Sequence, residues 1–511
     1  MSDWTEGYVA DVDYTFSYCY ELNPVRAPLA FLSKGLLPPR IETACELGFG
    51  QGLGTNIHAA ASAVEWWGTD FNPAQTGFAR DLARAAGSNA RLFEEAFEAF
   101  CRRDDLPDFD FIGMHGIWSW VSDRNREAIV AFVRRKLKPG GVLYAGYNAA
   151  PGWAGFVPMR DLMKRYSEIM LPQAFGALDR IDAAVVFAEK FITANPDFAA
   201  VNPTVVDRVE KIKTQDRHYL AHEYFNENWR PVEFTAMTEM MAPAKLGFAG
   251  SARYLDHIDG VNLTPEQVEF LSAIPDPVFR ESARDVMVLR RFRCDYWVKG
   301  ARRLTVLDHA DRLRAQRFVL LKPRAEVSMK VQGAARETDM QEAVYGPVLD
   351  ALADQTPRSV AEVEEAIRSS GLGLGQLVQA LLVLAGSGQI APTQDEAAIA
   401  AARQGSDRLN AHLTGLARDG SQIAYLASPV TGGGVPVARM PQLFLAAMGS
   451  GRSNPADWVD AVWPILAMQG QAIIRDGRPL ETDEENRAEL LRQAESFAEK
   501  QLPILKALQV C

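Results

Sequence analysis

Between residues 41 and 148 five short apolar runs alternate with stretches of helical character. The runs are IETACEL (41–47), VEWWGTD (64–70), ARLFEEA (90–96), FDFIGMH (109–115) and GVLYAGYN (141–148), and the helical stretches cover 55–62, 73–86 and 123–137. Apolar strands spaced by helices predict an α/β fold whose sheet is parallel and covered on both faces. Asn72-Pro73 and Ser122-Asp123 read as helix starts, and Lys138-Pro139-Gly140-Gly141 as a turn. A sheet of this kind binds ligands outside the carboxyl ends of its strands, so the residues that follow each run are the first functional candidates.

The rest of the chain divides by pattern. Residues 154–222 read as helices with no strand candidate, an insertion into the first unit. RPVEFTAMTEMMAPAKLGF (230–248) returns to helix, and AGSARYL and LRRFRCDYWVKG (289–300) supply the closing strands of the same sheet. Residues 1–300 are therefore expected to form one catalytic unit. Three short amphipathic segments between 343 and 393, ending in GQIAP, predict a winged-helix-like module over 301–400. Mixed strand and helix signals over 401–511 predict a further α/β or mostly helical domain. A chain of 511 residues exceeds one ordinary core, which agrees with several domains.

Composition narrows the class. No run of eighteen apolar residues is present, and the start MSDWTEGYVADVDY lacks the basic and apolar regions of a signal peptide. Five cysteines, at 19, 45, 101, 294 and 511, form no CxxC pair or Cys/His cluster, which argues for a reducing compartment and against structural zinc. HYLAH (218–222) spaces two histidines on one helical face but lacks the glutamate a zinc protease needs. A net charge of −11 disfavours nonspecific binding to nucleic acid or anionic lipid. The expectation is a cytoplasmic protein with no membrane insertion and no metal.

CELGFGQGLGTN (45–56) follows the first run and sets four glycines at alternate positions. A dinucleotide fingerprint requires G-x-G-x-x-G, but Leu53 or Thr55 occupies the third position in the two registers. The string that does fit is Glu46-Leu47-Gly48-Phe49-Gly50-Gln51-Gly52, which resembles the E/D-x-G-x-G-x-G motif of class I S-adenosylmethionine-dependent methyltransferases. Bare backbone admits the cofactor's amino acid and ribose, and the cofactor's positive charge tolerates a carboxylate such as Glu46. Asp70 ends the second run, where a carboxylate takes ribose hydroxyls, with Phe71 after it. Ala96 and Phe97 stand at the end of the third run, where adenine would sit.

FIGMHGIWSWVSDRNR (111–126), LKPGGVLY and YNAAPGW (147–153) sharpen the resemblance. They are similar to a bacterial family that joins such a domain to a methyltransferase regulatory domain, a group including lysine methyltransferases of outer-membrane proteins. The likeness is close over about 14–155 and fades to architecture beyond about 300. It implies a Rossmann-like catalytic sheet, S-adenosylmethionine as cofactor, and a regulatory-type segment over about 223–300.

Methyl transfer needs alignment, exclusion of water and a place for a proton. His115, Trp118 and Trp120 follow the fourth strand, where indole faces attract sulfonium or ammonium and His115 either takes a proton or holds the cofactor. Tyr147 and Asn148 follow the fifth and are candidates for holding the acceptor. Tyr14, Tyr18 and Tyr20 precede the first strand and are placed to close the site, with Tyr18 taken as a cofactor contact. AHEYFNENW (221–229) groups His222, Glu223, Tyr224 and Trp229. A protein side chain, lysine before others, is the expected acceptor. A small molecule or glycan is the alternative, and a non-catalytic regulatory protein a further one. A homodimer is compatible with the sequence.

Overall fold

The computed structural model describes residues 5, 7–9, 12, 14–172, 175–334 and 336–511. Its centre is a seven-stranded sheet formed by β1 (Thr43–Leu47), β2 (Glu65–Asp70), β3 (Arg91–Glu94), β4 (Phe109–His115), β5 (Leu137–Asn148), β6 (Leu246–Ser251) and β7 (Phe292–Lys299). The strand order is β3-β2-β1-β4-β5-β7-β6. The first five strands pair in parallel. The sheet is mixed rather than wholly parallel, because β7 runs antiparallel to both β5 and β6. The α/β, Rossmann-like class predicted from the strand–helix alternation is the observed one.

Helices Leu53–Ala61, Pro73–Ala86 and Asp123–Lys136 connect the parallel strands. Asn72 caps the second by accepting from the Ala74 and Gln75 N–H groups, and Ser122 caps the third through Asn125. The turn expected at 138–141 is absorbed into β5. There the pairing with β4 jumps from Phe109–Leu137 to Phe111–Val142, and Gly140 takes φ 81°.

Side chains of β5 alternate between two cores with the period of a pleated strand. Val142 and Tyr144 enter one apolar cluster, with Phe31, Cys294 and Tyr296; Leu143, Ala145 and Tyr147 enter the other, with Ile112, Met114 and Trp297. The first cluster runs without a break into Phe318, Leu349, Val363 and Leu381. That segment, where a winged-helix-like module was expected, contains a three-stranded antiparallel ladder formed by 317–320, 358–359 and 390–392, with helices Glu342–Ala351, Val360–Ala366 and Leu374–Gly386.

Leu53, Ile57, Leu82 and Ala86, on the outer faces of two sheet helices, share a third cluster with Leu409, Leu426, Trp458 and Phe497. The division expected between 400 and 401 falls inside one helix, Glu396–Leu416. That helix lies against Leu53–Ala61 closely enough that a Cβ on Gly405 would sit 3.0 Å from the Ala60 carbonyl. The insertion folds as helices Val157–Ile169, Ala177–Ala194, Pro196–Val201, Pro203–Thr214 and Arg217–Tyr224 around Trp153, Met159, Val185 and Val209. No helix among the described residues is long and apolar enough to cross a membrane.

Candidate active site

The glycine turn leaves β1 with φ 73° at Gly48, 57° at Gly50 and 68° at Gly52, a left-handed conformation that side chains disfavour. The three glycines do different work. A Cβ on Gly48 would lie 2.3 Å from Ile117 Cδ1, and one on Gly50 3.2 Å from the Tyr14 ring, so both keep a cavity and its cover close to the backbone. A Cβ on Gly52 would meet Ala79 Cβ at 2.4 Å, which makes that glycine a helix-packing position.

The cavity opens at the carboxyl ends of β1, β2 and β4. Of the candidates read from sequence, Glu46, Gly48, Gly50, Asp70, Phe71, Ala96, Phe97, His115, Trp120 and Tyr14 line it, and so does Cys19. Tyr18, Gly52, Trp118, Tyr147 and Asn148 are not part of its wall. Each exclusion has a cause. The Tyr18 hydroxyl accepts from the Gly434 N–H at 2.7 Å and lies 3.0 Å from His58 Nε2, which fastens the N-terminal segment to a C-terminal hairpin instead of the cofactor site. Trp118 is fully buried in the core beneath β4, while Trp120 two residues later turns to the cavity. Tyr147 points to the face opposite Tyr144 and donates to Asp295 Oδ2 at 2.9 Å. The Asn148 N–H donates to Ser119 Oγ at 2.9 Å, and its side chain adjoins Glu223. Tyr20 faces a separate cavity.

Two carboxyls stand in the cofactor cavity. Burial pushes Glu46 up to about 7, against the Thr55 hydroxyl that donates to Oε2 at 2.5 Å. Burial lifts Asp70 to about 6, against backbone donors: Asn72 N–H reaches Oδ1 at 3.0 Å and Gly50 N–H reaches Oδ2 at 2.9 Å. The Asp70 carboxyl thereby ties the glycine turn to the end of β2. Bare positive-φ backbone beside two acidic groups, with Phe71 and Phe97 as apolar walls, fits an adenosine that carries a cationic amino acid.

Behind the cavity His115 Nδ1 lies 2.8 Å from the Tyr144 hydroxyl and 3.2 Å from Cys19 Sγ, and the Cys19 thiol donates to Glu21 at 3.2 Å. Burial holds His115 down to about 4, so its imidazole is neutral at pH 7. Cys19 and Tyr144 were missed from sequence. Strand alternation puts Tyr144 on the face opposite its neighbours Leu143 and Ala145 without saying which face meets the site; nothing local marks Cys19.

The N-terminal segment covers the cavity with Thr5, Tyr8, Tyr14 and Ser17. Tyr8 stacks on His222 at 5.4 Å between centroids and meets Phe71 edge-on at 5.7 Å, and Tyr14 meets His222 at 5.0 Å. Glu223, on the last helix of the insertion, acts electrostatically on both tyrosines. Burial raises it to about 7, against Arg208 and the Asn148 side chain. Tyr224 and Trp229 pack around Trp153. No group of three His, Cys, Asp or Glu placed to hold a metal occurs among the described residues.

Residues 44–141 match the model of a methyltransferase domain, and residues 216–299 that of a predicted methyltransferase regulatory domain. The protein sll1526 of Synechocystis sp. is 38% identical over 512 residues, 99% of each chain. RP789 of Rickettsia prowazekii is 27% identical over 287 residues, 54% of this chain and 50% of that one. Among solved structures, PKMT2 from Rickettsia typhi in complex with AdoHcy superposes with a TM-score of 0.68 at 18% identity, covering 96% of this chain and 98% of that one. That likeness shows a shared fold over almost the whole length.

Proposed function

We propose a protein lysine side chain as the methyl acceptor, from the premise that this chain belongs to the family of the Synechocystis protein sll1526 and is an S-adenosylmethionine-dependent methyltransferase carrying a methyltransferase regulatory domain. The observation that carries the proposal is the cover of the cavity: Tyr8 and Tyr14 line it, and Glu223, beside Asn148, acts electrostatically on both. The likeness in fold to PKMT2 is in keeping with it.

When bound, the cofactor supplies a methyl group already activated by its sulfonium. Gly48 and Gly50 would admit its amino acid portion, Asp70 its ribose, and Phe97 with Ile117 its adenine. Trp120 and the N-terminal segment exclude water. An acceptor lysine arrives as an ammonium with an unperturbed pKa of about 10.4, and tyrosine faces attract that cation while a desolvated channel favours the neutral amine. Glu223, raised to about 7, is the carboxylate at which the departing proton would be held. His115, neutral at pH 7, positions the floor of the site rather than titrating there.

The test is a split between binding and turnover. Glu223→Gln should bind S-adenosylhomocysteine as the parent does and lose transfer, with the acidic limb of the pH–rate profile removed. A variant that transfers methyl groups at the parental rate and with the parental pH profile contradicts this assignment.

A further inference from the structure

A second cavity, of about 190 Å³, lies on the far side of the turn that carries Cys19 and Leu22, where the segment 330–334 and the end of helix Leu374–Gly386 meet residues 253–256. Its wall includes three arginines, Arg26, Arg253 and Arg290. Arg253 pairs with Glu21 at 3.3 Å, and Arg290 with Asp256 at 2.9 Å. Arg26 makes no salt bridge among the described residues, and the Glu21 charge that acts on it is the one paired with Arg253. Its side chain is only 7% exposed, and Nε and Nη2 have no hydrogen-bond partner among the described residues. The guanidinium stacks between Tyr254, 4.2 Å from its centroid, and Tyr20, 4.7 Å from its centroid. A guanidinium does not shed its proton to escape burial, so its charge persists in a place where an unpaired ion is costly.

We propose that this cavity binds a small oxyanion, a phosphate or carboxylate group, that completes the unpaired charge of Arg26. Two of the three guanidiniums already face their own carboxylates, which leaves one positive charge and matches a singly charged head group. The planar donors of a guanidinium suit the oxygens of a phosphate or carboxylate, and the flanking tyrosine rings fix the plane of Arg26. The cavity is walled by both the methyltransferase sheet's turns and the 317–392 segment, so an occupant stabilises that joint. Close approaches hold the joint from both sides: a Cβ on Gly333 would fall 1.8 Å from the Val261 carbonyl oxygen, and one on Gly386 2.7 Å from Leu255 Cγ.

The experiment is thermal unfolding and calorimetric titration of the full chain with inorganic phosphate and, in parallel, acetate, each against chloride at matched ionic strength. One of the two should give a saturable rise in melting temperature that chloride does not, and which one does identifies the head group. Arg26→Met should abolish the rise. Gln332→Glu, an exposed position on the cavity wall, places a carboxylate there and should weaken the same response at least tenfold in a chain that folds. Absence of a saturable response to either anion in the parent overturns the proposal. So does a parental response in Arg26→Met, or in Gln332→Glu should Arg26→Met not fold.

Discussion

Cofactor affinity should rise with pH between 6 and 7, and Glu46 should account for most of the rise. In the free protein burial holds Glu46 at about 7 and Asp70 at about 6, so at pH 6 most Glu46 and about half of Asp70 carry a proton. A bound cation favours the ionised carboxyls, so the complex holds fewer protons than the free protein and affinity increases as pH climbs to the free-state values. Taking the two groups as independent and ionised in the complex, binding is about tenfold tighter at pH 7 than at pH 6, or ~1.4 kcal/mol. Glu46→Gln keeps an acceptor for the Thr55 hydroxyl and leaves only Asp70 to titrate, which reduces the ratio to about twofold by the same relation. Calorimetry with S-adenosylmethionine in two buffers of different ionisation enthalpy counts the protons directly. Between about one and two should leave at pH 6 and almost none at pH 8. An affinity independent of pH, or an unchanged slope in Glu46→Gln, refutes the placement of the cation beside these carboxyls.

Asp70→Ala orphans the Gly50 and Asn72 N–H groups as well as the ribose site, so denaturant unfolding should show a loss on the order of 2–4 kcal/mol beside the loss of cofactor binding. A chain ending near residue 300 should not fold as an independent methyltransferase, because it bares the clusters shared by Phe31 and Tyr296 with Leu381 and by Ile57 with Leu409; loss of a cooperative melting transition checks this. His58, His115 and His257 are held by burial at about 3, 4 and 4. The unfolded chain therefore takes up their protons first as pH falls below about 6.5, and each costs stability by about 1.4 kcal/mol per pH unit down to its folded value. His58→Phe should lose stability less steeply than the parent from pH 6.5 to 5, measured by denaturant midpoint.

The strand ends were legible because apolar runs, a glycine turn and an acidic residue at the end of β2 are all local in sequence. Asp70, Ala96, Phe97 and His115 follow from them. What local pattern left open was which side chain at a strand end turns inward. Period-two alternation separates Tyr144 from Tyr147, but GVLYAGYN is apolar on both faces and offers no polar residue to set the phase. Trp118 and Trp120 leave β4 in a loop where no period applies. Glu223 lies beside Asn148 only because five helices return the chain there. Tyr18 was misassigned because its partner, Gly434, lies more than four hundred residues on, in a hairpin that covers the glycine-turn helix. The helix Glu396–Leu416 escaped notice as one element because Gly405 and Ser406 interrupt its pattern, yet both serve its close packing on Ala60.

The most direct measurement of the central claim is the fate of a labelled methyl group. The full chain, incubated with methyl-labelled S-adenosylmethionine and a bacterial lysate, should place label in protein, and hydrolysis of that protein should release it as methylated lysine. Gly50→Val should place none, since its Cβ enters the space between the turn and Tyr14. Label confined to small molecules, or recovered from protein on a residue other than lysine, contradicts the account.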